Sequence, residues 1–295
     1  MITVAPGVAG AGEAGGDATE AEEIADVQAS AKKAGLAPFS ITRTKHFLCL
    51  GDSPDRFRGG ALEICEWLSE AFLSYFRERG FKVALPPRSS TVIALKDDAS
   101  YRAYYGEDPG EALGHYDPET NRLVIFDSRP NMEGPKAAAQ RLNLFKLVHE
   151  TTHLLCFNTG LLSLTADVPD CISEGLATYA ELWQPRGKGK VGGTNRPRLQ
   201  ALFDARKKGE RWIPIADLLV DDDLCQSEQT GQLAYAESWA LVHYLMTARL
   251  AKFQAYLAEV PEADGAAERV KYAEARLGSL KTLDREVNRH AQKLR

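Results

Sequence analysis

The spacing of apolar residues predicts strands in the first half of the folded chain and one long helix among them. After a turn at 51–54, apolar side chains recur every three or four positions until Gly80, which is placed to end the helix. Its buried stripe consists of Leu62, Cys65, Leu68, Phe72, Tyr75 and Phe76. Short β-prone runs bounded by turn residues predict a small mixed sheet. The predicted strands are 41–50, 81–85, 91–95, 114–116 and 122–126.

Beyond residue 130 the pattern is helical almost throughout. The predicted helices are 135–157, 171–184, 197–208, 229–248, 249–259 and 264–292, the last broken near Gly278. Because the strands come first and the helices later, without β-α-β alternation, the order predicts an α+β fold. We expect a sheet-bearing lobe at 39–130 and a helical lobe at 131–295, which together form one domain at 39–295.

The first 38 residues have a different texture. Residues 1–38 contain no aromatic side chain and are rich in Ala and Gly, so they offer little to a hydrophobic core. Asp17 and Glu20 can cap a short helix that ends near Gly35, but a short helix is marginal in water unless it docks. We therefore predict a flexible tail at 1–38.

Composition narrows the classes of function. The 295 residues are 44% hydrophobic and 26% charged, as in ordinary globular proteins. A net charge of -5 argues against nucleic acid as a partner. The 5 cysteines form no Cys-x-x-Cys pair, which argues against a disulfide scaffold and a thiolate zinc site. Without a membrane-spanning apolar run or a secretory signal, we expect a cytoplasmic protein, although export of a longer or processed form stays open.

The most informative segment is an H-E-x-x-H motif formed by His149, Glu150 and His153. It lies in a predicted helix, where a spacing of four residues places the two imidazoles about 6 Å apart along one face. Imidazole is a preferred zinc ligand, and the glutamate between them can reach a metal-bound water without being a ligand. The alternative is that two histidines fell on a core-facing helix by accident.

A catalytic zinc usually has three protein ligands, and Glu174 is the obvious third. It follows Asp170, a plausible N-cap, in the first turns of the next predicted helix, and Gly175 allows a close approach by the preceding helix. The interval after His153 is long enough for the chain to reverse direction. Alternatively, Glu174 is an ordinary acidic residue that the helix dipole favours near an N-terminus.

Together these two segments resemble the gluzincin metallopeptidases, which pair H-E-x-x-H with a downstream Glu ligand. The second segment reads Ser173-Glu174-Gly175-Leu176-Ala177-Thr178-Tyr179, similar to their (N/S)-E-G-x-A-(S/T)-Y pattern. Within that group the chain is most similar to bacterial peptidase MA-like domains. The resemblance extends over about 40–250 and includes softer matches at 114–117, 121–122 and 235–244.

The resemblance implies a zincin-like fold with the active site in a cleft between the two lobes, and hydrolysis of peptide or protein substrates. His149, His153 and Glu174 would bind Zn²⁺, and Glu150 would act as general base for attack by a zinc-bound water. A residue of the helical lobe would stabilise the oxyanion. The candidate is Tyr235, with His243 and Tyr179 as alternatives; Tyr235 can equally be a core residue.

Three further expectations concern substrate binding. The strand 122–126, taken as a sheet edge, can receive an extended peptide, although it can also be an ordinary strand. The Gly-x-Met-Glu-Asn element of zinc aminopeptidases has only a superficial counterpart at 131–134, so aminopeptidase activity is not inferred. The basic stretch 185–198 is predicted to be a solvated loop, with a lid or an acidic-substrate contact as the alternative. Another class of function stays open: a non-catalytic binding or scaffold protein that keeps the fold, with or without the zinc.

Overall fold

The structure is a computed structural model that describes residues 19–106, 114–130, 135–262 and 265–294. The chain divides into two compact units. Among the described residues, the first, here called the sheet unit, comprises those up to Trp67 and those from Pro86 to Thr151, and the second, the helical unit, comprises Leu68–Leu85 and those from Thr152 onward. One mixed sheet and many helices confirm the predicted α+β fold.

The sheet unit contains a five-stranded sheet in the order β1-β2-β3-β5-β4. Strands β2, β3 and β5 run parallel, and β1 and β4 are antiparallel to their neighbours at the two edges. The strands are β1 Ser40–Arg43, β2 Phe47–Gly51, β3 Ser90–Leu95, β4 Gly114–Asp117 and β5 Arg122–Phe126. The helices that begin in this unit are α1 Glu20–Lys33, α2 Asp55–Arg77, α3 Asp98–Tyr105 and α4 Lys136–Asn158. Helix α3 was not predicted.

Helix α1 corrects the predicted flexible tail for residues 20–33. Thr19 and Glu22 form a capping box, whereas the predicted cap Asp17 lies outside the described residues. Val27 and Ala31 are fully buried in the core on one face of the sheet. The remaining buried members of that core are Phe39, Leu48, Leu50, Ile93, Leu95, Tyr101, Val124 and Phe126. Docking against this core stabilises a helix whose own sequence is only marginally helical.

Ionic and amide contacts hold α1 in place as well. Arg122 on β5 donates two hydrogen bonds to Glu23, at 2.8 and 3.0 Å, and one to Asp26 at 2.6 Å. Gln28 donates to the backbone oxygen of Phe39 and accepts from its backbone nitrogen. These partners lie far apart in sequence, so local periodicity did not reveal the docking.

Three strand predictions differ from the structure. The segment 41–50 forms two strands, β1 and β2, which pair antiparallel, instead of one. The segment 81–85 forms no strand, because Ala84 N donates instead to Thr159 O at 3.0 Å and the prolines that follow have no N–H to offer a sheet. Strand β5 is not an edge strand, since it pairs with both β3 and β4. Its continuous buried run is typical of an internal strand, and the edge is β4.

The helical unit follows the predicted helices closely. They are α5 Asp170–Ala180, α6 Arg196–Lys207, α7 Ile215–Val220, α8 Asp223–Gln226, α9 Gly231–Ala248, α10 Leu250–Leu257, α11 Ala266–Leu277 and α12 Leu280–Lys293. Only the two short helices α7 and α8 were not predicted. In the described part of the chain, every helix is too short or too polar to cross a bilayer.

Candidate metal centre

Helix α4 presents the two histidines of the H-E-x-x-H motif one turn apart on the same face. His149 is fully buried, and His153 is 7% exposed. The flanking Val148, Leu154 and Leu155 are fully buried as well, so the helix is held by apolar packing around the motif. The predicted placement of both imidazoles on one helix face is therefore confirmed.

Glu174 lies in the second turn of α5, a helix in which every residue from Cys171 to Ala180 is buried. The helix begins one residue earlier than an Asp170 cap requires. Pro169 occupies the N-cap position without a side-chain hydrogen bond, and Asp170 N donates to Asp222 Oδ1 at 2.9 Å. A proline is tolerated here because the first N–H groups of a helix have no partner within the helix.

Gly175 allows a close approach, as predicted, but the approaching helix is α9 and not the preceding one. A Cβ at this position would lie 2.5 Å from Val242 Cγ2 and 2.7 Å from Ser238 O. Only glycine fits such a contact, and α5 and α9 pack backbone to backbone at this point. The position of the neighbouring Glu174 thus depends on a tight pair of helices.

The structure brings His149, His153 and Glu174 together. Each offers one ligand atom, and these three atoms lie within 4.8 Å of one another. His153 Nε2 and Glu174 Oε2 are 3.4 Å apart, and Glu174 is 3% exposed. Two imidazoles and one carboxylate on buried, well-packed helices form a donor set that suits a divalent metal ion. This group can hold a metal ion.

Glu150 is buried beside the histidines and has its two oxygens in different surroundings. Oε2 accepts a hydrogen bond from Tyr116 N, on the edge strand β4, at 3.0 Å. Oε1 is buried and has no hydrogen-bond partner among the described residues. A buried carboxylate oxygen without a partner is costly, which suggests that it serves another ligand. Sequence reasoning did not find the Tyr116 amide, because a backbone donor leaves no signal in residue type.

The three candidates for oxyanion stabilisation differ in their surroundings. Tyr179 shares a 2.5 Å hydrogen bond with Tyr75 Oη, and burial raises its pKa. His243 Nδ1 lies 2.8 Å from His290 Nε2, and burial together with that neighbour lowers the pKa of His243 to about 4. Tyr235 is a buried residue of α9, as its core alternative predicted.

Arg198 is a residue near the site to which sequence reasoning gave no role there. Its guanidinium lies 5.1 Å from the Tyr235 ring centroid and makes two hydrogen bonds of 3.0 Å to the Glu181 carboxylate. Burial alone would lower the pKa of Arg198, but Glu181 raises it overall, with smaller contributions from Tyr235 and Glu174. The arginine therefore interacts electrostatically with both a candidate ligand and a candidate catalytic residue.

This pairing corrects part of the prediction for 185–198. The stretch is not one solvated loop, because α6 begins at Arg196 and Arg198 is paired with the buried Glu181. The sequence contained a signal for this helix start, because asparagine is a favoured N-cap residue. The Asn195 side chain accepts a hydrogen bond from Arg198 N. The other prediction about substrate, at 131–134, lies outside the described residues.

Asp170 is a second residue close to the site that the prediction had treated only as a helix cap. Burial, together with the negative charges of Asp222 and Glu174, raises its pKa to about 7. Cys171 is fully buried, and burial raises its thiol pKa, so this side chain behaves as a small apolar group.

Comparison with known protein families gives a match over part of the chain. Residues 143–264 match the sequence profile of a family described as "Protein of unknown function (DUF1570)". The matched segment includes His149, Glu150, His153, Glu174 and Tyr235. No curated protein matches the chain. The match therefore assigns no activity to this chain, and the function has to be argued from the geometry of the site.

Proposed function

We propose that this protein is a zinc-dependent metallopeptidase in which His149, His153 and Glu174 bind the metal and Glu150 is the general base. The observation that carries the proposal is the convergence of these three ligand atoms within 4.8 Å, with Glu150 on the same helix. Two neutral imidazoles and a carboxylate favour zinc over magnesium or calcium, which prefer oxygen ligands. When bound, zinc polarises a carbonyl group and makes a coordinated water more acidic.

Glu150 is suited to accept and return a proton. The Tyr116 amide fixes Oε2, which leaves Oε1 as the oxygen that can take a proton from water during attack on the scissile carbonyl. The same carboxyl group can then give that proton to the nitrogen of the departing amine. A purely structural zinc site has no need for such a residue.

Tyr235 is our candidate for stabilising the negative charge that develops on the carbonyl oxygen. Of the three candidates, it alone lies against Arg198, which also interacts with Glu174. A cation over the ring holds the phenol in place and favours negative charge nearby. Tyr179 is already hydrogen-bonded to Tyr75, and His243 is paired with His290.

The edge strand β4 offers a place for an extended substrate. It pairs with β5 on one side, and no described strand pairs with its other side. The Tyr116 amide that reaches Glu150 belongs to this strand, so a peptide added along β4 would lie beside the general base. The predicted strand addition is thereby moved from β5 to β4.

Metal analysis tests the site. After reconstitution with zinc and removal of excess metal, we expect about one zinc per wild-type chain and per Glu150→Gln chain. Glu174→Gln should bind zinc at least tenfold more weakly, because it loses a charged ligand. Glu237→Gln is the matched control, since Glu237 is another buried glutamate but lies outside the cluster. Equal zinc affinity in all four proteins would show that the ligand assignment is wrong.

Peptide hydrolysis tests the chemistry. The zinc-loaded wild type should cleave members of an unbiased peptide library, and Glu150→Gln should be slower by roughly 10²–10⁴-fold because it cannot accept a proton. Equal cleavage by the two proteins would refute the role of Glu150. Stoichiometric zinc without cleavage by either protein would support the alternative, a non-catalytic zinc-binding protein.

A further inference from the structure

The sheet unit contains a cavity of about 290 Å³ that the proposed chemistry does not use. It lies among the start of α2, the end of β5 and the first half of α4. Its apolar walls are Phe57, Ile64, Ile125, Phe126, Leu144 and Leu147. A volume near 300 Å³ is at the lower end of the range for small-molecule sites, so the space suits a compact organic ligand.

The cavity is separate from the metal centre. On α4 it is lined by Gln140, Asn143, Leu144, Lys146 and Leu147, and all of these except Lys146 follow the spacing of a single helix face. At 100° per residue, this face is turned by roughly 180° from His149. Most of the cavity lining on α4 and the metal ligands therefore lie on opposite sides of the same helix, and Lys146 lies between the two faces.

The charged side chains around the cavity favour an anionic ligand. Among the residues that the structure describes, the lining includes three cations and no acidic side chain. Arg129 is neutralised by Asp127, to which it donates hydrogen bonds of 2.5 to 2.8 Å. Arg56 and Lys146, in contrast, make no hydrogen bond or ion pair with another described residue. Two uncompensated positive charges beside an apolar cavity favour a ligand with an anionic head.

The polar side of the cavity is well ordered. Asn143 donates to Asp127 Oδ1 at 3.0 Å and accepts from Ser128 N at 3.1 Å. Burial alone would raise the pKa of Asp127, but the hydrogen bonds from Arg129 and Asn143 lower it overall, so the carboxylate stays charged and paired. The Arg129 guanidinium also lies 5.8 Å from the Phe57 ring centroid. These contacts fix one wall of the cavity before any ligand arrives, which lowers the ordering cost of binding.

We propose that this cavity binds an amphiphilic carboxylate, with the apolar chain between α2 and α4 and the carboxylate at Arg56 and Lys146. The probe is decanoate, used below its micelle concentration. Titration calorimetry with the full chain should show saturable binding of one decanoate per protein. Decyltrimethylammonium has the same apolar length and the opposite charge, and it should bind at least tenfold more weakly.

Two neighbouring glycines of α2 provide a matched test of the location. A Cβ added at Gly59 or at Gly60 meets no atom within 4 Å, and only Gly60 lines the cavity. Gly60→Leu should fill the space and weaken decanoate binding at least tenfold. Gly59→Leu should leave the affinity within about twofold, because both substitutions give the helix the same gain in propensity.

Charge substitutions test the head-group contact and do not alter the core. The double variant Arg56→Gln with Lys146→Gln should bind decanoate roughly tenfold more weakly, as expected for the loss of two partly exposed ion pairs. Lys45→Gln, an exposed lysine outside the cavity, should leave the affinity unchanged. The proposal is overturned if decanoate fails to bind saturably, if both amphiphiles bind equally well, or if the cavity and control variants behave alike.

Discussion

The contact between α5 and α9 at Gly175 allows a sharp prediction about stability. In Gly175→Ala the new methyl group would lie 2.5 Å from Val242 Cγ2 and 2.7 Å from Ser238 O. The valine cannot turn away freely, because β-branched side chains have one favoured rotamer in helices. The carbonyl oxygen belongs to the backbone of α9. The two helices must therefore move apart.

The expected magnitude combines two opposing effects. Alanine is favoured over glycine inside a helix by about 0.5–1 kcal/mol. Overpacking of a tight interface costs about 1–3 kcal/mol, and the backbone contact places this site at the upper end. We expect Gly175→Ala to lower the free energy of unfolding by about 2–2.5 kcal/mol.

Urea denaturation followed by circular dichroism measures this change, and Gly59→Ala is the matched control. Gly59 is also in a helix, but a Cβ there meets no atom within 4 Å. The control should gain about 0.5–1 kcal/mol, so the two variants should change stability in opposite directions. If Gly175→Ala is as stable as Gly59→Ala, the inferred backbone contact between α5 and α9 is wrong. Because Glu174 is adjacent, the same variant should also bind zinc more weakly.

Three other predictions concern buried charges and thiols. Burial raises the pKa of Glu237 from 4.5 to about 9, against the opposing hydrogen bond from Ile213 N, so the folded protein keeps a proton that the unfolded chain releases. Wild-type stability should therefore fall by up to about 1.4 kcal/mol per pH unit between these two pKa values relative to Glu237→Gln, measured by urea unfolding at several pH values; parallel profiles would contradict this. Arg122→Met removes the two hydrogen bonds to Glu23, which keeps a longer 3.6 Å contact with Arg88, and should cost about 1–3 kcal/mol and expose α1 to trypsin, seen by mass spectrometry of the fragments. An unchanged cleavage pattern would mean that the ion pair does not hold α1. All 5 cysteines are buried, so thiol reagents should label them only as fast as the protein unfolds, and rapid labelling of the native protein would contradict their burial.

Local patterns were sufficient for most of the helical unit and for the residues that could hold a metal ion. The predicted break near Gly278 is present between α11 and α12, because a glycine with a positive φ ends the helix there. The relative position of His149 and His153 was also predictable, because helix geometry alone places residues four apart on the same face. Predicting Glu174 required in addition that the chain reverse direction and bring a second helix back to the first. The interval between the two segments indicated this reversal.

Features that depend on distant partners were not predictable from local patterns. The order of the sheet places β5 between β3 and β4, and nothing in the sequence of β5 alone specifies which strand lies beside it. Helix α1 docks through contacts with residues about a hundred positions away, such as Arg122. The short helices α7 and α8 are each less than two turns long, and the apolar period is too brief to detect over such a length.

The docking of α1 has a practical consequence for shortened versions of this protein. Composition alone would suggest trimming the chain to begin near Phe39. Such a fragment would lose Val27 and Ala31 and open the core that they share with Leu48 and Ile93. An uncovered apolar sheet face is prone to self-association. Soluble material for biochemical work therefore requires the segment from Thr19 onward, even though its composition resembles a dispensable leader.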